Sequence, residues 1–182
     1  MKDIRREILT WSDVDGLIDH LLPQFDLEFD GMVLITRGGI IPGGMLAQAL
    51  DLRRILTAAV DFPEIGQGLT IKTASGEEFD PGFYAWPFFL QFPEDRLLAE
   101  QRILVIDDVW GSGRTIMAVR SRVITAGGRP FTCVLHYNPA ANRFTKVRPD
   151  FFSAITDAFI VYPWEIDHGL NKVIQGSYDK ER

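Results

Sequence analysis

Two neighbouring carboxylates followed by a turn of small residues form the part of the sequence best suited to chemistry. Asp107 and Asp108 follow the apolar run 103–106, and residues 111–115 are Gly-Ser-Gly-Arg-Thr. The apolar run predicts a buried strand, and the residues from Arg114 onwards predict a helix. In such a strand–turn–helix, the backbone N–H groups of the turn and the positive end of the helix dipole bind phosphate. The sequence therefore predicts an anion site beside two acids.

The two carboxylates would repel a phosphate, so they indicate a second binding partner in the same site. Sugar hydroxyls suit them, as does a Mg²⁺ ion that keeps several waters and bridges to phosphate. Because side chains alternate along a strand, we expect one carboxylate to face the crevice and the other to turn there as the strand ends. The alternative is that Asp107 and Asp108 only end a strand and that the turn is an ordinary connection to the helix. The combination favours a sugar-phosphate site.

Residues 105–115, Val-Ile-Asp-Asp-Val-Trp-Gly-Ser-Gly-Arg-Thr, resemble the ribose-phosphate motif of the type I phosphoribosyltransferases. That motif has two or more apolar residues, two acids, three variable residues, Thr or Ser, Gly, any residue, and Thr or Ser, and every position matches. The resemblance implies that the acids Asp107 and Asp108 are catalytic, binding the ribose hydroxyls of 5-phosphoribosyl 1-pyrophosphate (PRPP) directly or through the water of a bound Mg²⁺. The residues implied in binding its 5′-phosphate are Gly111, Ser112, Gly113, Arg114 and Thr115.

A second glycine-rich turn follows an earlier predicted strand at residues 32–36. Arg37, Gly38 and Gly39 stand between this strand and a helix predicted over 43–51. A guanidinium beside exposed backbone amides suits an anion of the size of pyrophosphate, although such a turn can also be a plain polar connection. The turn is similar to the pyrophosphate loop of the bacterial xanthine-guanine enzymes of the same family. The resemblance implies pyrophosphate binding by these three residues, and it makes the Arg37–Gly38 bond the candidate for a cis peptide.

A third segment, residues 157–165, is similar to the base-binding segment of the purine members of the family. The similarity implies that Phe159 stacks on the base and that Ile160 offers backbone groups to the base edge. Base stacking on an aromatic ring contributes about 1–3 kcal/mol in nucleic-acid complexes. Alternatively, Phe159 and Trp164 are core residues of an edge strand, and for Trp164 the core role is favoured.

Two positions depart from the hypoxanthine, guanine and xanthine enzymes. Gly111 stands where those enzymes have an Asp that handles a proton of the purine, and Asn138, before Pro139, stands where they have a Lys. Asn138 can still donate and accept hydrogen bonds, and we expect it to contact the base. The resemblance as a whole implies transfer of phosphoribose from PRPP to a nitrogenous base, a purine, with release of pyrophosphate. The rival is a non-catalytic regulatory protein that senses PRPP or a nucleotide.

The elements that must position these residues alternate between helix and strand. This order predicts an α/β fold, a mostly parallel twisted sheet flanked by helices, with ligands at the carboxyl ends of the strands. The resemblance adds a small hood and a flexible flap. An amphipathic helix begins near Trp11, with Thr10 or Ser12 as its cap. The remaining predicted elements are strands 54–60, 103–107, 131–137 and 158–162 and a helix over 114–126.

Residues 61–100 interrupt this order with glycines, prolines and aromatic residues. Long irregular segments in compact domains are usually lids or binding loops. The family has its flap at this place, which we expect to cover residues 61–100, while the base-binding hood is expected over 138–170. The aromatic cluster is equally consistent with a dimer surface. Its members are Phe79, Phe83, Tyr84, Trp86, Phe88, Phe89 and Phe92.

Composition narrows the class of protein. With 182 residues, 46% hydrophobic and 24% charged, the chain is expected to form a single domain over residues 1–182. The net charge of -6 argues against nucleic-acid binding. The absence of a signal-like N-terminus and of a long apolar run, together with a single Cys133 in an apolar run, predicts a cytoplasmic enzyme without membrane contact. We expect it to be a homo-oligomer, a dimer or tetramer.

Overall fold

The computed structural model describes residues 5–62, 71–72, 78–79, 86–144 and 146–166. The described strands are β1 (Arg6–Ile8), β2 (Gly31–Ile35), β3 (Ile55–Asp61), β4 (Ile71–Lys72), β5 (Glu78–Phe79), β6 (Phe88–Gln91), β7 (Arg102–Trp110), β8 (Arg129–Tyr137), β9 (Phe151–Ile155) and β10 (Phe159–Val161). The described α-helices are α1 (Trp11–Leu21), α2 (Ile40–Ala49), α3 (Arg114–Thr125) and α4 (Pro163–Ile166), and 3₁₀ turns cover Leu22–Gln24 and Asp95–Leu97.

The centre of the molecule is a six-stranded sheet in the order β6-β3-β2-β7-β8-β9. All neighbours in it are parallel except β3 and β6, which are antiparallel. The strands β2, β7 and β8 lie inside the sheet and have long buried apolar runs, as expected for parallel strands covered on both faces. The predicted α/β class with a mostly parallel sheet is confirmed. A separate parallel pair joins β1 to β10, and an antiparallel pair joins β4 to β5.

Helices cover both faces of the central sheet. Leu21 of α1 and Leu46 of α2 share a core with Ile106 of β7, whereas Val119 of α3 shares the opposite core with Val105 of β7. The two cores cover the two faces of the sheet. Because β2 and β7 are parallel neighbours, the loops that follow them, before α2 and α3, lie side by side at the carboxyl ends of these strands. Among the described helices, none is both long and apolar enough to cross a bilayer.

The first helix is held by a capping box. The Thr10 hydroxyl accepts a hydrogen bond from the Asp13 N–H at 3.2 Å, and the Asp13 carboxylate accepts one from the Thr10 N–H at 2.7 Å. Thr10, rather than Ser12, is therefore the cap. The helix buries Val14 and Ile18, as its apolar spacing predicts.

Some boundaries differ from the prediction. The strand predicted to end at Asp107 continues to Trp110, because Val109 and Trp110 pair with His136 and Tyr137 of β8. The helix predicted over 43–51 begins three residues earlier, at Ile40. Strands β1, β6 and β9 have no counterpart among the predicted elements.

The described part of the aromatic interval 61–100 belongs to the sheet edge. Phe89 and Phe92 pack edge to face with ring centroids 5.1 Å apart, next to the core that contains α3. Trp86 and Phe88 are 87% and 61% exposed. Residues 63–70, 73–77 and 80–85 of the predicted flap lie outside the described residues, so the flap over 61–100 stays a prediction. Phe83 and Tyr84 lie outside the described residues, and only the backbone of Phe79 is described.

Candidate active site

The phosphate turn, residues 111–115, connects β7 to α3. Gly113 has φ +78°, in the left-handed region that favours glycine, and a Cβ on it would lie 2.8 Å from Cε2 of Trp110. The N-cap residue of α3, Gly113, has no side chain to cap the helix, which leaves N–H groups of the first turn available to a ligand. Together with Asp107 and Val109, the turn lines a cavity of about 90 Å³. The sequence therefore folds here into the strand–turn–helix that the anion prediction requires.

The two acids lie on opposite faces of β7. The side chain of Val105 points to the α3 face and that of Ile106 to the α2 face, and the same alternation continues to Asp107 and Asp108. Asp107 lines the cavity of the phosphate turn. Asp108 lies against the loop before α2, where a Cβ on Gly38 would be 2.5 Å from its carboxyl carbon. The expectation that the strand ends at the second acid is wrong, because β7 continues to Trp110, and Asp108 faces the loop before α2 from within the strand.

Burial changes the acidity of both groups. It raises the pKa of Asp107 well above its usual range, and the charge of Asp108 raises it further. Burial also raises the pKa of Asp108 to about 6, against backbone hydrogen bonding from Val109 and with a smaller contribution from the charge of Glu165. No ion pair to either acid occurs within the described ranges. Both acids would therefore ionise more readily beside a bound cation or the hydroxyl groups of a sugar.

The donor chemistry of these acids suits Mg²⁺, which binds through one or two carboxylates, water and substrate phosphates. A metal site made by protein side chains alone would need at least three ligating side chains close together. Within the part of the chain that the structure describes, no group of three or more His, Cys, Asp and Glu side chains comes together. Asp107 and Asp108 are thus the residues that could hold a hydrated Mg²⁺ ion together with a phosphorylated ligand.

The pyrophosphate loop, residues 36–39, joins β2 to α2 and lies directly against β7. The cis peptide bond is between Thr36 and Arg37, so the candidate bond Arg37–Gly38 was wrong by one residue. A Cβ on Gly39 would collide with the carbonyl oxygen of Ile106. Arg37 is exposed at the loop surface. The close approach of this loop to β7 is what brings Gly38 to the carboxylate of Asp108.

The guanidinium of Arg114, which was expected to bind phosphate, packs on an aromatic ring. Its guanidinium carbon lies 3.7 Å from the ring centroid of Phe62, just after β3, in a cation–π contact. Its backbone N–H stays in the phosphate turn, 3.4 Å from the Ser112 hydroxyl. Arg114 thus lies in the turn with its backbone and packs on Phe62 with its guanidinium, and its predicted role in phosphate binding stays a prediction.

The two residues of β10 predicted to bind the base differ in exposure. Phe159 is 41% exposed and has the Arg6 guanidinium 5.9 Å from its ring centroid, so the alternative that it is a core residue is wrong. The Ile160 side chain is buried, which leaves its backbone for any ligand contact. Trp164 stacks on Tyr162 with ring centroids 4.4 Å apart and packs against the core, as favoured for it.

Asn138 uses part of its side chain within its own loop. Its amide oxygen accepts a hydrogen bond from the Ala141 N–H at 3.1 Å, and its backbone N–H donates to the Trp110 carbonyl at 2.9 Å. These two bonds use the amide oxygen and the backbone N–H of Asn138. Its side-chain NH₂ group, which is also predicted to read the base, takes part in neither of them.

Tyr162 and His136 form a hydrogen-bonded pair behind Asp108 that the sequence did not predict. The buried Tyr162 hydroxyl donates to the backbone carbonyl of Asp108 at 3.0 Å and lies 2.8 Å from Nδ1 of His136. Because the phenolic proton goes to Asp108, Nδ1 of His136 donates to the phenol oxygen. Burial lowers the pKa of His136, which favours the neutral ring. Tyr162 lies in the base-binding segment, whereas nothing in the sequence marks His136.

Comparisons with known proteins agree with this geometry. The xanthine-guanine phosphoribosyltransferase of Cereibacter sphaeroides is 26% identical over 140 residues, which are 74% of this chain and 68% of that protein. The structure of a purine phosphoribosyltransferase from Pyrococcus horikoshii has a TM-score of 0.68 at 26% identity, covering 88% of this chain and 94% of that one. No family model matches the chain.

A third comparison concerns the fold alone. The xanthine-guanine-hypoxanthine phosphoribosyltransferase of Helicobacter pylori has a TM-score of 0.68 at 18% identity, covering 93% of this chain and 99% of that one. The ribose-phosphate motif lies on β7 and the phosphate turn, the second glycine loop lies beside it, and the sheet has the fold of these enzymes. The motifs, the fold and the relatives together support a type I phosphoribosyltransferase, similar to the xanthine-guanine and purine enzymes named above.

Proposed function

We propose that this protein transfers 5-phosphoribose from PRPP to a purine base and releases pyrophosphate. The observation that carries the proposal is the meeting of two anion-binding loops at the carboxyl ends of the neighbouring strands β2 and β7, with Asp107 facing one loop and Asp108 the other. PRPP has a phosphate and a pyrophosphate at opposite ends of a ribose, so its charge pattern matches this arrangement. The relatives named as purine phosphoribosyltransferases support the same reaction.

Each loop would take one end of PRPP. The phosphate turn would bind the 5′-phosphate through backbone N–H groups and the dipole of α3. Arg37, Gly38 and Gly39 would take the pyrophosphate, whose negative charge grows as its bond to C1′ breaks. The ionised carboxylates of Asp107 and Asp108 would bind the ribose hydroxyls and stabilise the positive charge that develops on the ring, which is electrostatic stabilisation of the transition state.

The proposal includes Mg²⁺ as cofactor. Asp107 and Asp108 would hold it through its water ligands, and the ion would neutralise charge on the phosphates of PRPP. The support is the pair of buried carboxyl groups whose pKa values are raised. A positive ion nearby would lower both pKa values and make the ionised forms prevail at neutral pH.

The acceptor is proposed to be a purine held over the exposed ring of Phe159. The backbone of Ile160 and the amide group of Asn138 would read its edge. Since Gly111 supplies no carboxylate, the purine proton must leave by another route than in the enzymes with an Asp there. The regulatory alternative gains nothing from the relatives, which are named as enzymes.

A pyrophosphate-release assay over a panel of bases tests the proposal. The reaction contains PRPP, Mg²⁺ and guanine, xanthine, hypoxanthine or adenine, with uracil and orotate as pyrimidine controls. Release with at least one purine is expected. Release with none of the bases, combined with calorimetric binding of PRPP, would favour the sensor instead.

We also propose that the protein is a cytoplasmic homo-oligomer. Trp86, Phe88 and Leu90 expose apolar side chains on the edge strand β6 or just before it, and such an edge is suited to pairing with a second copy. Light scattering after gel filtration should show a dimer or tetramer that Leu90→Lys shifts towards monomer. A variant with an unchanged mass would place the interface elsewhere.

The proposed cytoplasmic location rests on Cys133, whose thiol is buried and unpaired as in a reducing compartment.

A further inference from the structure

We propose that Asn142 is a positioning residue that keeps the phosphate turn in its anion-binding shape. Asn142 lies in the loop between β8 and β9 and acts through the indole of Trp110, which precedes the turn. The inference rests on the proposed function, because it assigns the phosphate turn to the 5′-phosphate of PRPP.

The side-chain amide of Asn142 uses its complete hydrogen-bonding capacity. Its oxygen accepts from the Trp110 indole N–H and from the Phe144 backbone N–H, both at 3.1 Å. Its nitrogen lies 3.1 Å from the Tyr137 hydroxyl, 3.2 Å from the Phe144 carbonyl and 2.8 Å from the Val147 carbonyl. Acceptors for both amide hydrogens and donors for the oxygen are therefore present, which fixes the amide in one orientation with its oxygen towards the indole.

The buried indole of Trp110 packs directly against Gly113 of the phosphate turn. It is fully buried and packs edge to face on Tyr137, with ring centroids 6.2 Å apart at 82°. Gly113 lies so close to it that a Cβ would be 2.8 Å from the indole Cε2. A shift of the indole would therefore displace Gly113 and, with it, the N–H groups at the start of α3.

The backbone of the same loop makes two further hydrogen bonds, one to the turn and one to Trp110, the residue before it. The Arg143 N–H donates to the Ser112 carbonyl at 3.1 Å, and the Asn138 N–H donates to the Trp110 carbonyl at 2.9 Å. Asn142 thus sits between two backbone links and adds a side-chain link to the same few residues. The loop that carries Asn138, the predicted base-reading residue, is in this way coupled to the phosphate turn.

The expected consequence is selective. Removing the amide should weaken binding of ribose 5-phosphate, because that ligand needs the phosphate turn. Binding of inorganic pyrophosphate with Mg²⁺ should change little, because its loop, residues 36–39, approaches β7 at other residues: Gly38 lies against Asp108 and Gly39 against the carbonyl of Ile106. Loss of a buried hydrogen bond corresponds to about a tenfold change in affinity.

The test is calorimetry of the full-length protein with ribose 5-phosphate and, separately, with pyrophosphate and Mg²⁺. Asn142→Leu is compared with Gln24→Leu, which removes another part-buried amide, one that bonds to the carbonyls of His20 and Phe152 away from the site. We expect about tenfold weaker ribose 5-phosphate binding for Asn142→Leu only, with pyrophosphate binding unchanged in both variants. PRPP turnover by Asn142→Leu should show a raised KM with a smaller change in kcat.

Trp110→Phe provides a second route should Asn142→Leu not fold, since it removes only the indole N–H and part of the ring. It should reproduce the selective loss, and the double variant should lose less than the sum of the two, because both changes act through one contact. Equal losses for both ligands, or none in either variant, would overturn the inference. A wild-type protein that binds neither ligand would overturn the proposed function and this inference with it.

Discussion

Replacing Gly38 with alanine is expected to separate the pyrophosphate loop from the acid that it contacts. The added Cβ would lie 2.5 Å from the carboxyl carbon and from Oδ1 of Asp108. Carbon atoms in contact prefer about 3.5–4.0 Å, so the loop and the carboxylate must move apart by about 1 Å. The backbone of Gly38 does not have a positive φ, so the effect arises from the contact and not from the conformation of the residue.

A displacement of this size should reduce turnover more than stability. Misplacing a reacting group by about 1 Å costs about 10²-fold in rate. Overpacking a filled contact costs about 1–3 kcal/mol in the free energy of unfolding. Initial rates of pyrophosphate release measure the first quantity, and denaturant unfolding measures the second.

Gly44→Ala is the matched control. Gly44 lies in α2, five residues after the end of the loop, and a Cβ there meets nothing within 4 Å. Alanine inside a helix is favoured over glycine by about 1 kcal/mol, so this variant should be at least as stable as the wild type and fully active. Turnover of Gly38→Ala within a factor of three of the wild-type value would refute the placement of Asp108 against this loop.

Two further predictions concern Asp108 and the groups around it. Burial raises the folded-state pKa of Asp108 to about 6, above the pKa of about 3.9 for an Asp in an unfolded chain, so its contribution to stability is present below the unfolded pKa and is lost as the pH rises to 6. Asp108→Asn should therefore gain stability relative to the wild type as the pH rises from about 4 to 6, by up to ~3 kcal/mol, with little further change above pH 6, in melting curves over that range; a pH-independent difference would contradict this. Tyr162→Phe removes the hydrogen bond to the Asp108 carbonyl. It should lower the free energy of unfolding by about 1 kcal/mol and should also lower kcat. An unchanged kcat would mean that this contact does not position Asp108.

Local sequence patterns predicted the centre of the fold well. The apolar runs of β2, β7 and β8 are buried on both faces, and each of β2 and β7 is followed by a glycine turn and a helix. Such strands are recognised from their own residues. By contrast, β1 has the sequence Arg-Glu-Ile and is a strand because it pairs with β10, which lies some 150 residues away in the chain. No local pattern contains that partner.

The site shows the same division between local and long-range information. The phosphate turn and the pyrophosphate loop are local and were predicted from their glycines. The faces of Asp107 and Asp108 depend on how far β7 continues, which is decided by pairing of Trp110 with β8. The contact of Arg114 with Phe62 joins residues far apart in sequence, and so it could not be predicted.

The most direct test of the central claim is pyrophosphate release from PRPP by the wild-type protein and by the double variant Asp107→Asn/Asp108→Asn. The assay uses saturating purine and Mg²⁺, and circular dichroism checks that the variant is folded. The wild type should release pyrophosphate, and the folded variant should release none above background. Equal release by the two proteins would contradict the assignment of these acids as the catalytic pair.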